Sequence, residues 1–301
     1  ELKSSDAHQH RIEKLTGIPG VSVTHATLFF GAILYPIALV LRKIPGLNRE
    51  FDTDMLKDKV GIFAENHVMG FILGCLFGIL AKYSLAQILT TGIKAAAAMT
   101  LFPVVAKYFM QALSPISEAV SAFMNKKFEG KTLIVGLDWP ILGGCNEIWL
   151  AILWSIPFML IYSMVLPGNE ILPFAGLMSA SLALPAFLVT RGNLLQMSIL
   201  CVIGAPVFLW VGTAFAPFMT ELAIATGSID LQAGELISNS LINGPVFTYS
   251  ISHLFMFLKG NFMPLIIFAV WLAGFILYYR DLMREAREDA ALEAGNAKAG
   301  Q

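Results

Sequence analysis

Residues 194–216 read LLQMSILCVIGAPVFLWVGTAFA, a run without one charged side chain. As a helix it would be about 35 Å long, and a hydrocarbon core about 30 Å thick needs about 20 such residues. This stretch is therefore expected to span a membrane. The same test, carried outward, finds further windows at 21–41, 61–81, 88–106, 148–166, 171–190 and 262–279, separated by polar breaks such as Pro45-Gly46 and Lys259-Gly260-Asn261. The chain reads as all-α, a polytopic transmembrane helical protein with about seven spans.

Composition agrees. Of 301 residues 56% are hydrophobic and 14% charged, where soluble domains carry about a quarter charged. A net charge of -1 offers no global field for nucleic acid, so function is expected to reside in local sites. Cys75, Cys145 and Cys201 lie in apolar stretches without metal-ligand spacing and read as small buried hydrophobes. Neither a metal nor another cofactor is expected. The chain also shows no phosphate-binding glycine loop, dinucleotide fingerprint or nucleophile elbow.

Two apolar stretches are broken from within. Residues 133–147 contain Asp138, Pro140, Gly143, Gly144 and Asn146; residues 236–258 contain Asn239, Asn243, Gly244, Pro245 and His253. Broken backbone at membrane depth is tolerated where protein or a wet cavity satisfies the freed peptide groups, as in transporter sites. Both stretches read as re-entrant hairpins, with a kinked helix at a helix contact as the alternative. Residues 1–18 form a polar N-terminal segment, 19–279 the transmembrane region, and 280–301 a charged tail expected to fray. Residues 107–131 are amphipathic and expected at the membrane surface. Basic residues at 42, 43, 49, 57, 59, 126, 127, 131, 191, 280, 284 and 287 mark one face as cytoplasmic. That assignment leaves the N-terminal segment outside despite Lys3, Arg11 and Lys14.

Ionisable groups in a bilayer cost about 2.5 to 3.5 kcal/mol each and usually mark a cavity or relay. The candidates are His25, Glu65, His67, Asp138, Asn146 and Glu147. Each has a plainer alternative. His25 is an interfacial histidine bonded to backbone, Glu65 complements a helix N-terminus, His67 satisfies local polarity, and Asn146 with Glu147 caps the next helix. Asp138, followed by Trp139-Pro140 in an apolar break, is the strongest. Gly70, Gly74 and Gly78 make a smooth stripe for helix packing. Trp149, Trp154 and Trp271 read as interfacial or packing aromatics.

The motifs Pro19-Gly20-Val21-Ser22-Val23-Thr24-His25, Lys43-Ile44-Pro45-Gly46-Leu47-Asn48, Gly61-Ile62-Phe63-Ala64-Glu65, Gly136-Leu137-Asp138-Trp139-Pro140, Leu166-Pro167-Gly168-Asn169 and Arg191-Gly192-Asn193-Leu194 occur in this order. As a set, over about residues 15 to 285, they resemble the galactitol-type enzyme IIC component of the bacterial phosphoenolpyruvate-dependent phosphotransferase system (PTS). The chain is expected to lack the family's N-terminal part. The resemblance implies a multi-pass permease of the bacterial inner membrane with a cytoplasmic C-terminus. Such a permease binds a polyol or sugar, moves a core against a scaffold, and presents the solute to the cytoplasmic partner IIB, supplied in turn by IIA. It also implies a homodimer, with phosphoryl transfer carried by IIB. His25, Glu65 and Asp138 become substrate-cavity residues, where carboxylates accept from hydroxyls and histidine donates or accepts. Two other readings stay open: an ion-coupled secondary transporter in which Asp138 or Glu65 titrates, and a non-transporting remnant.

Overall fold

The computed structural model describes residues 2–17, 21–23, 25–47, 61–127, 135–136, 144–173, 175–229, 234–237 and 244–299. In chain order the elements are α1 (Leu2–Thr16), β1 (Val21–Ser22), a 3-10 turn (Ala26–Phe30) leading into α2 (Gly31–Leu41), a 3-10 turn (Gly61–Ala64) and α3 (Asn66–Leu80). They continue with α4 (Leu85–Lys127), β2 (Val135–Gly136), α5 (Asn146–Val165), α6 (Ala175–Thr190), α7 (Leu194–Ala225), α8 (Pro245–Ser252), a 3-10 turn (Leu254–Lys259) and α9 (Met263–Ala299). Each apolar window contains a helix, although those at 21–41 and 171–190 become helical only from Ala26 and Ala175. Four helices are long and apolar enough to cross a bilayer, and three shorter apolar helices, Ala26–Leu41, Asn66–Leu80 and Ser179–Thr190, accompany them. The chain is an all-α, membrane-embedded protein whose extended structure, among the described residues, is a two-residue parallel ladder of β1 with β2.

The core gathers around α6. From Leu182 to Val189 its large side chains are all buried, which is expected of a helix apolar on every face. Close approach fixes its neighbours: a Cβ on Gly204 of α7 would strike Leu182 and Phe30, and one on Gly274 of α9 would collide with the Ala32 carbonyl of α2. The glycine stripe of α3 behaves as its spacing predicts, since a Cβ on Gly74 would lie 2.7 Å from the Thr91 carbonyl of α4. The outer faces of α3 and α4 expose Ile79, Leu80, Leu85, Ile93 and Leu101, surfaces suited to lipid and not to water.

One end of the molecule is tied by charge. Arg11 of α1 is 1% exposed; its Nε donates to Glu285 at 3.0 Å, its Nη2 to Asp281 at 2.9 Å and its Nη1 to the Leu188 carbonyl at 3.2 Å. Arg191, in the turn between α6 and α7, donates to the same Glu285 at 3.2 Å, and Arg284 to Asp281 at 2.8 Å. Burial alone opposes the Arg11 charge, but the Tyr278 ring and the two carboxylates outweigh it and hold the guanidinium above its ordinary pKa. Lys14 and His10 both reach Asp289.

Two expectations change. Arg11 bonds the Leu188 carbonyl and Arg42 the Val189 carbonyl at 2.6 Å, so the N-terminal segment shares the face of Arg42 instead of lying opposite. The reason is that Val21–Ser22 lie in the ladder and helix begins only at Ala26. Second, α4 runs unbroken from Leu85 to Lys127 through Pro103 and Pro115, with no separate surface helix after 106. The tail continues α9 as helix to Ala299, and α1 pins its Asp281, Glu285 and Asp289.

Removing one partner of a buried ion pair strands the other, so Arg11→Ala is expected to cost about 3 kcal/mol. Lys14→Ala, whose side chain is half exposed, should cost under about 1 kcal/mol. Thermal unfolding of the two purified variants checks this, and equal losses would contradict the buried role.

Candidate functional site

The site residues stand at places where helices begin. His25 caps the 3-10 turn that opens α2: the Thr27 backbone N–H donates to its Nδ1 at 3.3 Å and the Thr27 hydroxyl lies 2.8 Å from the same atom. An Nδ1 that accepts from a backbone amide carries no proton, so in the neutral ring the proton sits on Nε2, a donor. The turn packs beside Phe247, Trp271 and Phe275 through Phe29. The turn that half-buried His25 opens is thus packed, through Phe29, on apolar side chains of α8 and α9.

The second broken stretch reaches that turn. Its Ile237 N–H donates to Thr220 Oγ1 at 2.8 Å, near the end of α7. Its last turn feeds the start of α9 at Met263. Both positions lie at the end of the molecule opposite Arg11, because α7 starts and the α9 tail runs at the Arg11 end. Between them the chain turns at Gly244, whose φ is +59° and whose Cβ position would lie 2.8 Å from the Ala26 carbonyl. Both features demand glycine. The start of α8 thus touches the His25 turn, while residues 238–243 of the stretch lie outside the described residues.

A second pair of helix starts meets nearby in the chain order. Asn66, at the start of α3, donates to Asn146 Oδ1 at the start of α5, 3.2 Å away. This bond brings Glu65 and His67 on one side toward Glu147 on the other. Glu65 occupies the capping position of α3 without a capping bond from its side chain, a place where its charge complements the helix N-terminus. Cys145, not Asn146, is the capping residue of α5; Asn146 faces across to α3 instead. Glu147 lies in the first turn of α5, where the helix dipole favours negative charge. His67 is exposed.

Val21 pairs with Val135 and Ser22 with Gly136, so the strand that precedes the His25 turn lies beside residues 135–136. Asp138 itself lies outside the described residues. The structure thus joins His25 with Gly244 and Asn66 with Asn146, while no contact between His25 and Glu65 is among those described. Among the described residues no three His, Cys, Asp or Glu side chains gather as metal ligands would. Trp271 donates to the Phe29 carbonyl at 2.9 Å and Trp149 stacks on Phe102, both packing roles. Asn66 and Gly244 were missing from the candidate list. Their signal was positional: an amide directly after the Glu65 motif, and a glycine before proline in a broken span.

A model of the family described as the PTS system sugar-specific permease component, EIIC-GAT, matches residues 1–232. The chain is 32% identical over 268 residues to the PTS system galactitol-specific EIIC component of Escherichia coli strain K12, an alignment covering 87% of this chain and 58% of the relative. The same protein of Escherichia coli O157:H7 gives the same figures. A putative permease IIC component of strain K12 is 32% identical over 261 residues, covering 84% of this chain and 58% of that relative. The chain thus spans somewhat over half the length of these curated relatives. No solved structure matches it.

The amide pair carries its own prediction. Asn66→Ala should lower stability by about 1 kcal/mol, and Asn146→Ala added to it should cost little more, because one bond is lost once. Unfolding of the single and double variants measures the coupling; fully additive losses would mean the two amides do not act together.

Proposed function

This chain belongs to the EIIC-GAT family of PTS sugar-specific permease components, and from that premise we propose that it binds a polyol or sugar and passes it across the bacterial inner membrane. A cytoplasmic IIB partner, itself recharged by IIA, phosphorylates the solute on arrival. The working form is a homodimer in the lipid bilayer, with the C-terminus in the cytoplasm beside the Arg11 and Arg191 cluster, as the excess of basic residues at that end favours.

One observation supports this reading above the others: the turn capped by His25 meets Gly244 of the second broken stretch, the strand before it pairs with residues 135–136, and the Asn66 bond ties the start of α3, beside Glu65, to the start of α5, beside Glu147. Helix N-termini in a membrane interior present unsatisfied N–H groups to polar cargo. With its Nε2 proton, His25 donates to a hydroxyl oxygen, while Glu65, Asp138 and Glu147 accept from hydroxyl hydrogens. Asn146 and His67 flank the same chain segments and complete the proposed contact set. Charge-assisted bonds of this kind discriminate hydroxyl-rich solutes from apolar ones.

His25→Ala and Asp138→Asn are expected to weaken solute binding at least about tenfold while insertion and expression stay unchanged, as read by binding to the purified full-length gene product. Unaltered affinity in both variants would refute the site. Phosphorylated solute should appear in vesicles only when IIA, IIB and phosphoenolpyruvate are supplied. Accumulation of unmodified solute, collapsed by a protonophore, would instead make the protein an ion-coupled transporter.

A further inference from the structure

Between α7, α8 and α9 lies a half-open groove of about 380 Å³ lined by Val207, Trp210, Ala214, Val246, Tyr249 and Ile267. We propose that it holds one acyl chain of a membrane phospholipid and that this chain braces the re-entrant helix α8. Two of its walls, α7 and α9, are long apolar helices of the spanning kind. Its rim continues into exposed apolar surface: Trp210 is 47% exposed, and Ile203 and Ile266 beside it are exposed too. Trp210 also fixes the depth, because its indole N–H donates at 2.9 Å to the Pro167 carbonyl in the turn between α5 and α6. The groove therefore opens to the bilayer just beneath the interface opposite the Arg11 end, where indole rings characteristically sit.

Chemistry selects the occupant. The lining is hydrocarbon and aromatic, and the indole donor is already engaged with Pro167. A polyol placed here would leave hydroxyls without partners, at a cost of several kcal per mole overall, and ordered water would fare no better. The rim of the groove continues into exposed apolar surface, which favours lipid over a second copy, the occupant that the cross-linking below tests. A single hydrocarbon chain is narrow enough and loses nothing by leaving the surrounding lipid. Its consequence follows from the floor of the groove. Val246 and Tyr249 belong to α8, and Gly244, two residues before Val246, abuts the Ala26 carbonyl of the His25 turn. A chain seated in the groove thus supports the helix that touches the candidate site, whichever solute that site takes.

The test uses bromine as a contact quencher. The protein is reconstituted in vesicles of dioleoylphosphatidylcholine brominated across the oleoyl double bonds, then re-extracted into detergent so that loosely held lipid is diluted away. The Trp210 signal is read as the difference between the unaltered chain and Trp210→Phe; Trp154, exposed on α5, is read likewise through Trp154→Phe. Trp210 should stay quenched after extraction while Trp154 recovers, and Ala214→Phe, which fills an exposed position in the groove, should release most of the Trp210 quenching. Parallel recovery of both tryptophans would show ordinary boundary lipid and overturn the proposal. So would efficient disulfide cross-linking of Ala214→Cys between copies, which would place a second protein there.

Discussion

A peptide group buried in hydrocarbon has no water to turn to, and this constraint governs every irregular feature of the structure. The helices satisfy it internally. Where helix stops, a specific partner takes over: β1 and β2 bond each other, His25 Nδ1 receives the Thr27 amide, and Thr220 Oγ1 receives the Ile237 amide. None of these is a generic loop. The ladder joins two breaks far apart in sequence, while the other two partners lie closer in sequence and satisfy backbone locally. The candidate site is therefore a by-product of satisfying backbone in a dry medium, which then becomes useful to a solute with the same needs.

The opposite strategy holds the Arg11 end together. There Arg11, Arg191 and Arg284 share Asp281 and Glu285. Four segments meet in this knot: α1, the α6–α7 turn, the end of α2 through Arg42 at the Val189 carbonyl, and the α9 tail. Because the 3-10 turn capped by His25 runs directly into α2, whose far end lies at this knot, the knot helps set the position of His25. A charge cluster near the membrane surface thus has mechanical meaning for a turn buried among aromatics.

What could be read in the sequence was what depends on local pattern. Apolar windows of sufficient length gave the helices, and the Gly70, Gly74 and Gly78 stripe gave the α3–α4 contact. The misplaced N-terminal segment had a different cause. Val21 and Ser22 belong to a window apolar enough to pass as helix, and only a ladder to residues 135–136, more than a hundred positions away, makes them extended. Arg11 is equally illegible, since its acidic partners lie at 281 and 285 and nothing near it marks burial. The extension of α4 to Lys127 was hidden by Pro103 and Pro115, residues that a long helix flanked by apolar neighbours accommodates.

In the proposed site the tautomer of His25 would narrow what can be recognised. With Nδ1 occupied by the Thr27 amide, the ring offers one N–H donor, and the proposed carboxylates Glu65 and Glu147 would offer acceptors. A sugar hydroxyl is both donor and acceptor, so a donor on the α2 side and acceptors on the α3 and α5 side would complement a hydroxyl-rich solute. The ion-coupled alternative adds a demand that this complementarity does not contain: one of those carboxylates would have to gain and lose a proton as the solute moves.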